Sequence, residues 1–136
     1  MAKTQKIPRG IRNNNPLNIR IGNTWQGEVE NPTDKTFEQF TQMVYGLRAG
    51  FYLLRRYISR YHLNTISDII KRWAPANENN TENYIKRVSL EVGLNPYEPI
   101  RFEDKETMCN IVNAMVFVEN GQRVDMELIE RGYDIV

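Results

Sequence analysis

The pattern of apolar residues at 103–120 predicts a helix whose end carries a carboxylate, Glu119, directly before Asn120 and the helix-terminating Gly121. The inward-facing stripe of this helix steps by three and four, through Met108, Ile111, Val112 and Met115. Continuing the same spacing places Glu119 on the apolar face. Burial and the negative end of the helix dipole both disfavour a charged carboxylate there, so we expect a raised pKa.

A glutamate that stays protonated in a cleft can donate its proton to the leaving oxygen of a glycosidic bond. Glu119 is therefore a candidate general acid. The alternative is that Glu119 lies at a frayed helix end, solvated and without a chemical role.

A second group of residues suited to binding is the amide-rich run at 12–18, which reads RNNNPLN. The side chains of Asn14, Asn15 and Asn18 each present a donor and an acceptor, which matches the hydroxyl and N-acetyl groups of sugars. Trp25 follows and could either stack on a sugar face or fill the core. Asparagine also forms turns, so the run is equally compatible with a loop that binds nothing.

The segments that must position these residues differ in character. Residues 9–40 are dense in turn formers, with weak strand signals around Ile19–Ile21 and Phe37–Phe40 that could pair as a hairpin. After them, apolar periodicity predicts helices with start and stop signals. These run from Thr41 as N-cap to Tyr61, from Thr65 to Pro75, from Thr81 to Gly93, from Glu103 to Asn120, and from Asp125 to Gly132.

These patterns predict a mainly α (α+β) fold, a helical domain with a small β-hairpin or loop lobe. A length of 136 residues suits a single domain, 1–136, with residues 1–8 as a flexible tail. The net charge of +1 does not favour a nucleic-acid partner, and no apolar run approaches the length for membrane insertion. One cysteine and one histidine suggest neither a disulfide nor a metal centre, and no cofactor is implied.

Several motifs together resemble a group of phage and prophage proteins described as virion structural or lysozyme-like proteins. The resemblance covers nearly the whole chain. It is carried by NNPLNIR at 14–20, WQG at 25–27, TD at 33–34, the aromatic segment Phe37–Phe40, GLRA at 46–49, RWAPANENNTENYIKRV at 72–88 and VENG at 118–121. The chain departs from the expected pattern at Leu17, where glycine is expected, and at Val118, where histidine is expected.

The amide loop is also similar to that of glucosaminidases and lytic transglycosylases of the lysozyme superfamily. In those enzymes a helix ending in a catalytic glutamate precedes the loop, whereas here the first glutamate, Glu28, follows it. The helix that ends at Glu119 looks like the missing piece placed last instead of first. We therefore hypothesise a circular permutation, which predicts that Glu119 lies beside the loop at 13–18.

The resemblance implies an enzyme that cleaves the β-1,4 glycan strands of peptidoglycan, of the lysozyme, lytic transglycosylase or glucosaminidase type. Glu119 would be the catalytic acid, and the sugar site would be formed by Asn14, Asn15, Asn18, Trp25, Glu38 and Asn120. A second carboxylate is open among Glu28, Glu30, Asp34, Glu38 and Glu78. The substrate's own N-acetyl or 6-hydroxyl group could instead complete the reaction.

The implied partners are peptidoglycan strands and other virion proteins. Since the sequence shows no signal-peptide pattern, we expect synthesis in the cytoplasm and access to the cell wall through a phage particle, a pore or a secretion system. The alternative function is a non-catalytic virion structural or glycan-binding protein with the same fold.

Overall fold

Helices joined by loops make up most of the structure. The computed structural model describes residues 6–75 and 78–136, with the main chain alone at 78 and 79. The described residues form α1 (Arg9–Arg12), α2 (Met43–Ser59), α3 (Ile66–Trp73), α4 (Glu78–Val92), α5 (Lys105–Asn120) and α6 (Met126–Asp134). The prediction of a mainly helical chain is confirmed. None of these helices is both long and apolar enough to cross a membrane.

The helix ends follow local capping chemistry. The Thr65 side chain accepts a hydrogen bond from the main-chain N–H of Asp68, which confirms the predicted cap of α3. Asp104 caps α5 in the same way, so the helix begins at Lys105, two residues after the predicted start at Glu103. Gly121 adopts the left-handed conformation (φ 68°) and ends α5 after Asn120, as predicted.

Three predicted helix boundaries need correction. Thr41 does not cap α2, because its hydroxyl donates to the Gly27 carbonyl at 3.2 Å and the residue before the helix is Gln42. Helix α4 begins at Glu78, before Thr81. Helix α6 continues through Gly132 to Asp134.

In place of the predicted hairpin, the structure has isolated antiparallel pairs of residues. Arg20 pairs with Phe37 in antiparallel fashion, supported by a 2.9 Å hydrogen bond from Glu38 N to Ile19 O. A second pair joins Glu28 to Phe40. The two segments therefore do meet as predicted, but the part of the chain that is described contains no longer strand.

The first helical turn was not predicted. Pro8 precedes α1, and its carbonyl accepts a hydrogen bond from Arg12 N at 2.9 Å. Pro8 is the N-cap residue and has an extended conformation (φ −54°, ψ 144°). Residues 1–5 of the predicted flexible tail lie outside the described residues.

The core is built from the inward faces of α2 to α6. Phe51, Ile69, Val88, Met115 and Ile129, one from each helix, are all fully buried in one apolar cluster. A smaller cluster joins the loop lobe to α2 and consists of Ile19, Trp25, Phe40 and Ala49. The loop lobe is thus packed onto α2 by apolar burial, although it has little regular structure.

Two glycines let the amide-rich loop approach α2 closely. A Cβ at Gly46 would fall on the main-chain carbonyl of Asn14, and a Cβ at Gly50 would fall on the side chain of Leu17. Leu17 is fully buried. The leucine that departs from the expected motif therefore fills space that Gly50 leaves open.

We predict that Gly46→Ala lowers the free energy of unfolding by roughly 1–3 kcal/mol, because the added methyl group meets main chain that cannot rotate away. Urea unfolding followed by circular dichroism measures this. Gly22→Ala is the matched control, since a Cβ at Gly22 meets nothing within 4 Å. Equal stabilities for the two variants would contradict the close approach.

Candidate functional site

The last turn of α5 brings Glu119 to the amide-rich loop. Asn18 Nδ2 donates a 2.8 Å hydrogen bond to Glu119 Oε1, although the two residues are 101 positions apart. The predicted proximity of Glu119 to this loop is confirmed. The Glu119 side chain is half-buried, so the alternative of a fully solvated helix end does not hold.

The second carboxylate oxygen has its own donor. The hydroxyl of Tyr84, a buried residue of α4, donates to Glu119 Oε2 at 3.0 Å. No pattern in the sequence pairs Tyr84 with Glu119. The one available signal was a hydroxyl group on an otherwise apolar face, which requires a partner when buried.

The electrostatics of this group of three residues are set by burial. Burial raises the pKa of Glu119, and the hydrogen bonds from Asn18 and Tyr84 offset that rise in part. The pKa of Tyr84 is itself well above its usual value, first through burial and then through the nearby Glu119. Tyr84 therefore remains a neutral donor, while Glu119 can hold a proton at higher pH than an exposed glutamate.

Asn18 is held in place by the loop and by the end of α5. Its backbone is in the left-handed region (φ 54°), where asparagine is tolerated better than most residues. Asn120 Nδ2 donates to Pro16 O at 2.7 Å and to Val116 O at 2.9 Å, which ties the helix end to the loop. Asn120 was a predicted sugar contact, but its donor group is used within the protein.

Two carbonyl oxygens converge on α1. Asn18 Oδ1 and Asn120 Oδ1 are buried and have no hydrogen-bond partner among the described residues. A Cβ on Gly10 would lie 2.8 Å from the first and 2.5 Å from the second. Only glycine therefore fits at this position beside the site.

The predicted sugar contacts of Asn14 and Asn15 need correction. Asn15 is fully buried, and its Nδ2 donates to Ile19 O at 2.9 Å and Glu38 O at 3.0 Å. Asn14 Nδ2 donates to Phe40 O at 3.0 Å. Both amides replace missing strand hydrogen bonds between the two loop segments, so they shape the lobe instead of facing a ligand.

Trp25 packs in the core and does not present its ring to a ligand. It is 9% exposed, and its ring meets Tyr52 edge to face at a centroid distance of 5.5 Å. Stacking on a sugar would need an open ring face, which this packing does not leave. Trp25 does line one wall of a cavity beside α2.

Glu38 is buried beside another carboxylate. It is 7% exposed, and burial followed by the charge of Glu28 raises its pKa to about 7. Glu28 Oε1 accepts a hydrogen bond from Trp25 N at 3.0 Å. Glu38 is therefore a second acid that can remain protonated near neutral pH.

The other carboxylates considered above differ from Glu119 and Glu38. Asp34 accepts two 2.7 Å hydrogen bonds from Arg9 and one from Asn13, which hold its pKa well below the usual range. This makes Asp34 a structural anion. Glu30 is exposed, and the side chain of Glu78 lies outside the described residues.

These features define a class of protein only coarsely: a mainly helical domain with a half-buried glutamate held by an amide and a phenol. No family model matches the chain. The chain belongs to the family of Protein P5 of Pseudoalteromonas phage PM2. It is 42% identical to that protein over 138 residues, which cover 98% of this chain and 84% of the phage protein. The predicted relationship to phage proteins is thereby confirmed.

The raised pKa of Glu38 predicts a pH dependence of stability. Between pH 4.5, the ordinary value, and about 7, the folded state binds a proton that the unfolded state has released. The free energy of unfolding should therefore fall as pH rises through this window, and Glu38→Gln should reduce the slope. Urea unfolding at a series of pH values tests this. Glu30→Gln, an exposed control, should keep the wild-type slope.

Removing one donor from Glu119 should raise its pKa further. Tyr84→Phe deletes the hydroxyl that stabilises the carboxylate, so the charged form becomes less favourable. Titration of the glutamate side-chain carboxyl carbons by NMR follows the change. A Glu119 pKa that stays the same or falls would show that the hydroxyl does not bind the carboxylate in solution.

Proposed function

We propose that this protein cleaves peptidoglycan glycan strands, with Glu119 as the general acid. The observation that carries the proposal is the half-buried carboxyl of Glu119, which has a raised pKa and one donor on each oxygen. A carboxyl group that remains protonated towards neutral pH can protonate the oxygen of the departing sugar. This matches the role that the resemblance to lysozyme-like enzymes assigns to Glu119.

The two donors suit both stages of such a reaction. Before proton transfer they fix the orientation of the carboxyl group, since Asn18 and Tyr84 come from different segments. After transfer, the same hydrogen bonds stabilise the carboxylate that forms. Burial favours the protonated form of Glu119, and the two hydrogen-bond donors favour its charged form. Neither protonation state is therefore strongly preferred.

The second half of the reaction requires a nucleophile. Water, or the N-acetyl or 6-hydroxyl group of the substrate, would attack the anomeric carbon once the bond to the protonated oxygen weakens. Attack by water gives hydrolysis, and attack by the 6-hydroxyl gives an anhydro-sugar.

The family relationship supports a phage setting. A phage protein of this type would act on the host cell wall, with glycan strands as substrate and other virion proteins as neighbours. The particle, a pore or a secretion system would give access to the wall.

A non-catalytic virion or glycan-binding role is the second candidate. It is favoured by the way the polar groups of the site bind each other: Glu119 already accepts two hydrogen bonds, and the amides of Asn14, Asn15 and Asn120 are used within the protein. A site of this kind could stabilise the fold without reacting.

We predict that wild-type protein lowers the turbidity of a peptidoglycan suspension and that Glu119→Gln slows this by about 100-fold or more, the usual contribution of a general acid. Glu119→Gln should unfold at the same temperature or higher at neutral pH, since it removes a carboxylate that burial destabilises. Glu106→Gln is the control, because Glu106 is an exposed glutamate on the same helix.

The two candidates give different outcomes. Loss of turbidity that depends on Glu119 and not on Glu106 supports the enzyme. If wild-type protein binds peptidoglycan in a sedimentation assay without releasing sugar fragments, the proposed catalysis is wrong and the binding role replaces it.

A further inference from the structure

A cavity separate from Glu119 lies where the loop lobe meets α2. Its volume is about 330 Å³. Its lining residues are Asn23, Thr24, Trp25, Gln26, Arg48, Tyr52, Leu53 and Arg56. A second cavity of about 180 Å³ shares Tyr52 and Arg56 with it and extends along α2 past Arg55 and Arg60. Both linings contain arginine and other polar residues, and among the described residues neither includes a carboxylate.

The four arginines of these cavities are not neutralised. Within the described ranges, none of Arg48, Arg55, Arg56 and Arg60 has a carboxylate within 4 Å, whereas Arg9 and Arg123 are each paired at 2.7 Å. The whole chain has a net charge of only +1. Positive charge is therefore concentrated on this face of α2.

The phenol of Tyr61 is affected by the positive charge of the neighbouring arginines. The pKa of Tyr61 is lowered, first by a hydrogen bond from Arg56 and also by Arg60 and Arg72. An exposed acid becomes stronger when positive charge beside it is uncompensated. An added anion would find the same stabilisation.

The cavity walls are partly preorganised. Arg48 Nε donates to the main-chain carbonyl of Ile135 at 3.3 Å, and the Arg55 guanidinium lies 5.4 Å from the centre of the Tyr52 ring. Trp25 forms part of the wall, and its buried Nε1 has no acceptor among the described residues. Ordered guanidinium groups lose less entropy when they bind a carboxylate.

We infer that this arginine-lined cavity is a subsite for the free carboxylates of peptidoglycan stem peptides. The inference rests on the proposed function for the choice of substrate. Arg48 and Arg56 would bind the carboxylate, and the polar side chains of Asn23, Thr24 and Gln26 match the amide groups of a peptide. Such a subsite would anchor the stem peptide to the protein.

The cavity shape favours this ligand over a nucleic acid. A nucleic-acid surface presents a row of phosphates and is bound by an extended basic face, usually with a strongly basic domain. Here the four arginines line two small adjoining cavities in a nearly neutral chain.

Isothermal titration calorimetry with a soluble N-acetylmuramyl peptide carrying free carboxylates tests the inference. Wild-type protein should bind it, and the same peptide with its carboxylates amidated should bind at least tenfold more weakly. Arg56→Gln should weaken binding of the free acid about tenfold, as expected for one charged hydrogen bond. Arg101→Gln should bind as wild type, since Arg101 is exposed and lines neither cavity.

Thermal unfolding of each variant checks its fold, and Arg60→Gln provides a second, exposed substitution in the adjoining cavity. Equal binding of the acid and amidated peptides, or wild-type binding by Arg56→Gln, would overturn the inference. So would displacement of the peptide by duplex DNA at equal charge concentration.

The experiment separates this subsite from catalysis. Glu119→Gln should keep wild-type peptide affinity. If that variant loses turbidity clearance and wild-type protein never binds the peptide, the subsite is wrong and the proposed enzyme stands. If peptide binding depends on Arg56 but wild-type protein releases no sugar fragments, the subsite stands and the proposed catalysis is wrong.

Discussion

The half-buried carboxyl group of Glu119, at the end of α5, constrains how the neighbouring segments of this structure pack. Glu119 loses solvation on burial, and the negative end of α5 adds to the cost of its charge. The compensation comes from Asn18 and Tyr84, which belong to the loop lobe and to α4. Three segments must therefore meet at one point, and the tight contact at Gly10 exists because they do. The same burial that makes the charge costly raises the pKa of Glu119, and the two hydrogen bonds offset that rise in part.

The loop lobe is held together mainly by side-chain amides. With only single antiparallel pairs between its segments, most main-chain groups need other partners. Asn14 and Asn15 supply them across the lobe, and Asn120 extends the same bonding to α5. The asparagines thus form a rigid frame around Asn18, the amide that reaches Glu119. An amide-rich loop is a feature shared by sugar sites and by turn-rich scaffolds, and here Asn14 and Asn15 serve as scaffold.

Although the net charge is close to zero, charged residues are paired in one part of the protein and unpaired in another. Asp34 and Glu91 are each bound by an arginine, so these acids are internally neutralised. The arginines of α2 have no such partners among the described residues, and they face a cavity instead of a carboxylate. In a protein from the family of a phage protein, an acid held for proton transfer and a separate basic subsite would suit a polymer that carries both sugars and peptide carboxylates.

The sequence by itself determined the features that local physics controls. Apolar periodicity and capping residues located α2 to α6 apart from three boundaries, and they gave the start of α3 at Thr65 and the end of α5 at Gly121, since these depend on neighbours within one turn. Periodicity also placed Glu119 on the inward face. Only the tertiary structure decided that Tyr84 binds Glu119, that Asn15 is buried and that Glu38 lies beside Glu28. Each of these depends on a contact between segments far apart in the chain. A local sequence pattern does not indicate which distant segments will meet.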